Sequence, residues 1–137
     1  MSLTCTAHHT SFPVRDLQRS QQFYGGVLGL IEIPRPDIFG LGGAWYDAGP
    51  IELHLIEVAA DADVGAQPPT IDPRARHAAF AVGDYAETVG YLRAAGLDIF
   101  ETSVEFGQCW VQDPDGHVIE FIARAPARSD AAGGESR

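Results

Sequence analysis

Apolar and polar positions alternate over residues 9–15, which is the pattern of a half-buried β-strand. One face carries Thr10, Phe12 and Val14, and the other carries His9, Ser11, Pro13 and Arg15. Residues 77–83 repeat the pattern, with Phe80 and Val82 on one face and His77 among small residues on the other. We therefore expect the bulky face of each strand to pack on a helix and the histidine face to border an open space.

A helix is expected directly after each of these strands. Asp16 and Asp84 stand at the positions of helix N-caps. The second helix has an apolar stripe at i, i+4 and i+7, formed by Tyr85, Val89 and Leu92. The first helix, 17–30, is predicted less strongly, because Gly25 and Gly26 each cost about 1 kcal/mol relative to alanine.

Three further strands are predicted after each helix. They lie near 31–34, 43–48 and 51–58 in the first half of the chain, and near 98–104, 107–112 and 117–123 in the second half. The sequence DPDG at 113–116 is a strong turn signal between the last two strands. Each half therefore has the element order β-α-β-β-β, which predicts an α+β fold with a curved, mostly antiparallel mixed sheet.

The two halves of the chain are degenerate copies of one unit, and matching positions in the two copies are 68 residues apart. The phrase His-x-x-Phe-x-Val-x-Asp begins at His9 and again at His77. With the same spacing, Glu52 in the last strand of the first unit recurs as Glu120 in the last strand of the second. A repeat of this size indicates duplicated structural modules.

We expect residues 1–126 to form one domain that contains both copies. The modules span about 3–58 and 75–125, and the segment 59–74 between them is rich in Ala, Asp and Pro, as a linker loop is. The small, polar residues of 127–137 predict a disordered tail.

Composition excludes several function classes. The 137 residues include nine basic and 19 acidic side chains, a formal charge of −10 that disfavours nucleic acid and anionic membranes. Every basic residue is Arg, so Schiff-base chemistry and a P-loop are excluded. Cys5 and Cys109 do not make a disulfide framework, and neither a signal peptide nor an apolar run of about 18 residues is present. We expect a cytoplasmic protein.

The repeated polar residues predict a metal centre. Glu52 and Glu120 lie on the strand faces opposite to the apolar ones, so they should line the same cavity as His9 and His77. Ionised carboxylates are almost never buried unless they are paired or bound to a cation. Imidazole together with carboxylate suits Zn, Ni, Fe or Mn. We therefore predict that these four side chains bind one divalent ion.

Other residues near this cavity are open to more than one interpretation. His54 shares the face of Glu52 and could replace or supplement it as a ligand. His8 is expected on the Phe12 face in a structural role, and His117, which follows the turn, is expected to be solvated. Four further side chains lie where they could line the cavity, although most residues of these types belong to the core: Trp45, Tyr46, Cys109 and Trp110.

With these motifs the chain resembles the vicinal oxygen chelate superfamily, which includes glyoxalase I, extradiol dioxygenases, methylmalonyl-CoA epimerase, and fosfomycin- and bleomycin-resistance proteins. The resemblance rests on HTSFPVRDLQRSQQFYGGVLGL, HAAFAVGD and WVQDPDGHVIEF, and it extends to about Arg124. It implies two βαβββ modules that form a half-barrel around a metal-binding cup. The matching ligand positions are His9, Glu52, His77 and Glu120, a set similar to that of bacterial glyoxalase I.

The resemblance also implies a function. A metal-dependent lyase or isomerase would hold two vicinal oxygens of a small substrate, with Glu120 or Glu52 moving a proton through an enediolate. Relatives are dimers, and in some of them the modules exchange between subunits. Two alternatives stay open. His9, His77 and Glu120 alone resemble the ligands of Fe(II) extradiol dioxygenases, and a bleomycin-resistance-like protein would bind a small molecule without catalysis.

Overall fold

The strands and helices of this protein follow the order βαβββ twice along the chain. The computed structural model describes residues 2–38, 40–103 and 105–124. The strands in that part of the chain are β1 His9–Val14, β2 Ile31–Ile33, β3 Gly43–Asp47, β4 Glu52–Glu57, β5 His77–Val82, β6 Phe100–Glu101, β7 Gln108–Gln112 and β8 Val118–Ala123. The tail predicted at 127–137 lies outside the described residues.

Each module builds its own four-stranded mixed sheet. The strand orders are β1-β4-β3-β2 and β5-β8-β7-β6. In both sheets the first strand runs parallel to the last strand, and the other neighbours are antiparallel. β1 and β5, the two strands that begin with a histidine, therefore lie at sheet edges. The α+β class and the paired βαβββ modules are confirmed, with the eight strands divided between two sheets.

Both α-helices begin at the predicted caps. They are α1, Leu17–Gln21, and α2, Tyr85–Ala94. The side chain of Asp16 accepts a hydrogen bond from the backbone N–H of Arg19, and the side chain of Asp84 accepts one from that of Glu87. The predicted apolar stripe of α2 is buried, at Tyr85, Val89 and Leu92. Neither helix in the described part of the chain is long and apolar enough to cross a membrane.

The first helix changes its winding in the glycine-containing segment. Residues Gln22–Val27 form a π-helical turn, and the helical structure ends before the predicted 17–30 is complete. A Cβ added to Gly25 would lie 3.5 Å from the ring of Tyr46 on β3. This is an ordinary van der Waals distance, so the turn packs on the sheet at a spacing that a small side chain would also accept.

The two modules share one apolar core. Its buried members include Phe12, Val14, Leu53 and Leu55 from the first module and Val111, Ile119 and Phe121 from the second. His117 belongs to the same interior, so the expectation that it is solvated is wrong: it is 6% exposed, and its ring stacks on Phe12 at 4.8 Å. Its Nε2 donates to the carbonyl of Pro13 at 2.7 Å. This contact joins the two modules, so the local turn signal could not predict it.

Candidate metal centre

His77 and Glu120 are in direct contact in the second module. Nε2 of His77 lies 2.9 Å from Oε1 of Glu120, and the side-chain amide of Gln108 donates to Oε2 of the same carboxylate at 2.9 Å. Glu120 is only 6% exposed. One carboxylate oxygen thus accepts a hydrogen bond from Gln108, and the other faces a ring nitrogen of His77, at a position that is almost closed to water.

The backbone fixes the orientation of the His77 ring. Nδ1 of His77 lies 2.7 Å from the carbonyl oxygen of Ala75, and a carbonyl can only accept, so Nδ1 is the donor. In the neutral ring Nε2 then carries the lone pair, and it is this nitrogen that faces Glu120. Histidines that bind metals commonly donate their other ring N–H to a backbone carbonyl in this way. The second module therefore presents an imidazole nitrogen and a carboxylate oxygen in an arrangement that suits a divalent ion.

The corresponding residues of the first module are joined through His54. Nε2 of His54 lies 2.9 Å from Oε1 of Glu52. The His54 ring is stacked between two other rings, that of Trp45 at 3.9 Å and that of His9 at 4.0 Å between centroids. His9 and Glu52 thus belong to one cluster, although the contact between them runs through a third side chain.

His8 also belongs to this cluster, which corrects the expectation that it lies on the Phe12 face. Its Nδ1 is 2.8 Å from Nδ1 of His9, and its ring meets the His9 ring edge-on. Strand alternation does not extend to His8, because β1 begins at His9. Partial desolvation and the neighbouring His54 and His8 rings lower the pKa of His9 from its usual value, and Glu52 opposes that shift.

The two copies differ in register where the predicted ligands lie. On β1 and β4, His9 is the direct partner of Glu52. On β5 and β8, His77 is the partner of Val118, and Glu120 lies opposite Ala79. The equal spacing of the residues in sequence therefore hides a two-residue difference in strand pairing. His77 contacts Glu120 diagonally across the two strands, whereas His9 lies directly opposite Glu52.

The four predicted ligands form two pairs in one chain, one per module, which we call half-sites. Among the residues that the structure describes, no three His, Cys, Asp or Glu side chains surround one position that could hold a metal. A groove of about 650 Å³ between the modules is lined by His77, but its first-module wall includes Thr10 and Leu53, from the sheet face opposite to Glu52. The residue types fit a divalent ion, and each module carries two of the four predicted ligands.

Several contributors to these half-sites were not predicted from the sequence. They are the Gln108 amide, the Ala75 carbonyl and the His8 ring. Strand alternation places Gln108 on the same face of β7 as Trp110, and Trp110 is the direct partner of Glu120. The sequence pattern could therefore have placed Gln108 on the face of the Glu120 half-site. Among the four residues left open, Tyr46 and Cys109 are fully buried core residues, whereas Trp45 and Trp110 lie on the faces of the half-sites.

Comparison with known proteins identifies the family. Residues 6–121 match the model of the Glyoxalase/Bleomycin resistance protein/Dioxygenase superfamily, which covers most of the chain. The chain belongs to this superfamily, and its α+β architecture is the vicinal oxygen chelate fold that the motifs implied.

Individual relatives point toward glyoxalases within the superfamily. The chain is 31% identical over 119 residues to Glyoxylase I 4 of Arabidopsis thaliana, a match that covers 83% of this chain and 68% of that protein. Its structure is similar to that of the trypanothione-dependent glyoxalase I of Leishmania major, with a TM-score of 0.69, 28% identity and coverage of 88% and 87%. A glyoxalase/dioxygenase from Nostoc punctiforme shares the fold, with a TM-score of 0.73, 23% identity and coverage of 92% and 99%. The Arabidopsis and Leishmania relatives support a glyoxalase-like function.

Proposed function

We propose that the protein is a metal-dependent lyase or isomerase of the glyoxalase I type. The observation that carries the proposal is the half-site of the second module, in which the backbone orients His77 so that Nε2 faces the buried carboxylate of Glu120. His9 and Glu52 cluster at the equivalent positions of the first module. Two imidazoles and two carboxylates form a donor set for Zn, Ni, Fe or Mn. The relationship to glyoxalase I proteins favours the same class of reaction.

A divalent ion at this centre would act as a Lewis acid toward two vicinal oxygens of a small substrate. The protein's own task is then to move one proton between adjacent carbons, through an enediolate. Glu52 and Glu120 are the candidate bases for this transfer. Oε1 of Glu52 is held by His54, while both oxygens of Glu120 are held, by His77 and Gln108. Glu52 therefore has one polar contact to leave, and Glu120 has two, if the carboxylate turns toward a substrate proton.

We further propose that two chains build each centre. In this arrangement His9 and Glu52 of one chain face His77 and Glu120 of a second copy, and a symmetric homodimer contains two such centres. The separation of the half-sites within the described part of one chain supports this arrangement. The edge positions of β1 and β5 support it as well, because those strands have a free side on which a second chain can pack.

Subunit complementation tests the shared centre. The variants Glu52→Gln and Glu120→Gln are each expected to lose turnover while retaining their fold. In a mixed dimer of the two, one centre carries both substitutions and the other carries neither. Random mixing of equal amounts should therefore restore about a quarter of the wild-type activity. If each centre lay within a single chain, the mixture would stay as inactive as its components, and that result would refute the shared arrangement.

Metal content and substrate class test the reaction. Protein purified without chelators should contain close to one equivalent of Zn, Ni, Fe or Mn per centre by elemental analysis. A panel of a hemithioacetal, a catechol and an acyl-CoA then separates the candidate reactions. We expect turnover of the hemithioacetal without oxygen uptake. Oxygen uptake with the catechol would instead identify a dioxygenase, and full activity of Glu120→Gln would remove that carboxylate from the mechanism.

A further inference from the structure

We propose that Trp45 and His54 form a clamp that positions the carboxylate of Glu52, and that His54 is not itself a metal ligand. This inference deepens the proposed function, because it concerns the residues that set up one of its half-sites. It decides between the two roles that the sequence left open for His54. The argument rests on ring stacking, hydrogen bonding and strand register.

The stacking holds the His54 ring in one orientation. The indole of Trp45 and the imidazole of His54 lie 3.9 Å apart with an angle of 1° between their planes. These two residues are direct partners on β3 and β4, so both side chains stand on the same face of the sheet. The ring of His9 covers the other side at 4.0 Å and 15°. An imidazole enclosed on both faces can place its nitrogens in few directions.

The hydrogen bond then transfers this orientation to Glu52. The His54 side chain is 7% exposed, whereas the Glu52 side chain is 35% exposed, so packing confines Glu52 less than it confines His54. The 2.9 Å contact from Nε2 to Oε1 joins the less confined carboxylate to the enclosed ring. With Nε2 donating to Glu52, that nitrogen has no lone pair to offer a metal ion. The second oxygen of Glu52 stays available for one.

The register explains why Glu52 needs this partner. Asp47 on β3 lies directly opposite Glu52 on β4, and like charges in that relationship repel each other. His54, two residues further along β4, donates to the Glu52 carboxylate and so favours an orientation away from Asp47. In the second module Glu120 lies opposite Trp110 rather than an acid, and there the side-chain amide of Gln108 donates to the carboxylate. Glutamine is therefore the conservative replacement for His54.

The clamp is tested first in metal-free protein, where the readout does not depend on the proposed reaction. Nitrogen-15 NMR of the imidazole rings should show His54 as a single tautomer protonated at Nε2. In Glu52→Ala and Trp45→Ala the signal should shift toward averaging of the two tautomers. His117, which donates through Nε2 to a backbone carbonyl, is an internal reference that should not change. Averaged tautomers at His54 in the wild type would overturn the clamp.

Metal binding provides the second test. We expect His54→Ala to weaken the affinity for Zn²⁺ or Ni²⁺ by about 10- to 100-fold, His54→Gln to recover part of the loss, and Trp45→Ala to weaken binding more than Trp45→Phe. X-ray absorption should count the same number of imidazole ligands in His54→Gln as in the wild type, and one fewer in His9→Gln. His117→Gln, which replaces an equally buried imidazole, should bind metal normally.

The outcomes of the two tests are distinguishable. Loss of one imidazole ligand in His54→Gln, or wild-type affinity in both His54→Ala and Trp45→Ala, would overturn the clamp while leaving the proposed function intact. If the wild type binds none of the four ions, the proposed metal chemistry fails. The NMR measurement then decides alone whether His54 and Trp45 hold Glu52.

Discussion

Tyr24 in the first module donates its hydroxyl hydrogen to Oδ2 of Asp113 in the second module, at a distance of 2.6 Å. Both side chains are buried. The other oxygen of Asp113 accepts from the backbone N–H groups of Asp115 and His117, so this one carboxylate shapes the turn before β8 and also fastens that turn to the first module. The relative placement of the modules thus depends on a buried hydrogen bond as well as on the apolar core.

Tyr24→Phe should destabilise the protein by about 1–3 kcal/mol, because it leaves a buried carboxylate oxygen without its donor. The free energy of unfolding from urea titration measures the effect. Tyr91→Phe is the matched control: the Tyr91 hydroxyl donates to the carbonyl of Val27 at 2.6 Å, but Tyr91 is 53% exposed and water can replace it. Equal stability of the two variants would contradict a special role for the buried bond.

The environment of Asp113 also predicts a dependence on pH. Burial raises the pKa of the Asp113 carboxyl above its usual value of 3.8, and the hydrogen bonds from Tyr24 and the backbone oppose this only in part. In the folded state the group therefore holds its proton to higher pH than in the unfolded state. Its contribution to stability is present below pH 3.8 and is lost as pH rises through the raised pKa.

Asp113→Asn removes this titration and keeps an oxygen that can accept from the turn. The stability of the variant relative to the wild type should therefore increase as pH rises from 3.8 through the raised pKa, and then level off. Urea titrations of both proteins at a series of pH values give the difference in their free energies of unfolding. The titration of the groups that the two proteins share cancels in this difference. A difference that falls with rising pH would show that Asp113 is stabilised as a carboxylate, opposite to the expected direction.

The outline of the fold could be predicted because its signals are local. Period-two alternation marks β1 and β5, an aspartate precedes each helix, and the 68-residue repeat shows that the modules are copies. The contacts that join the modules have no such signal. Tyr24 and Asp113 are far apart in sequence, and the stacking of His117 on Phe12 exists only once both modules are folded.

Gly43, the first residue of β3, lies where a side chain has no room. A Cβ there would overlap the carbonyl oxygen of Leu55 and lie 2.9 Å from Nε of Arg35. Gly43→Ala should therefore cost about 1–3 kcal/mol, since the backbone must shift to accept it. Gly26→Ala is the control, with nothing within 4 Å of its added Cβ, and should cause no loss. Equal urea midpoints for the two variants would show that β3 adapts without strain.

The residue types of the candidate centre could be predicted, but their contacts could not. The internal repeat in the sequence was enough to identify His9, His77, Glu52 and Glu120 as candidate ligands. It could not show that His54 contacts both His9 and Glu52, nor that the β1–β4 and β5–β8 registers differ by two residues. A change of register moves side chains along the sheet while leaving their spacing in sequence unchanged.

Metal binding should stabilise the folded protein, because an unfolded chain does not hold the donors together. At a free ion concentration 100 times Kd, the gain is about 2.7 kcal/mol, seen as a rise in Tm that a chelator reverses. His77→Gln should lose most of that gain, since it removes one of the nitrogen donors. His117→Gln should keep it, although its Tm without metal is expected to be lower than that of the wild type. A metal-induced rise in Tm as large in His77→Gln as in the wild type would place the ion elsewhere, because the Nε2 that faces Glu120 would then contribute nothing to holding it.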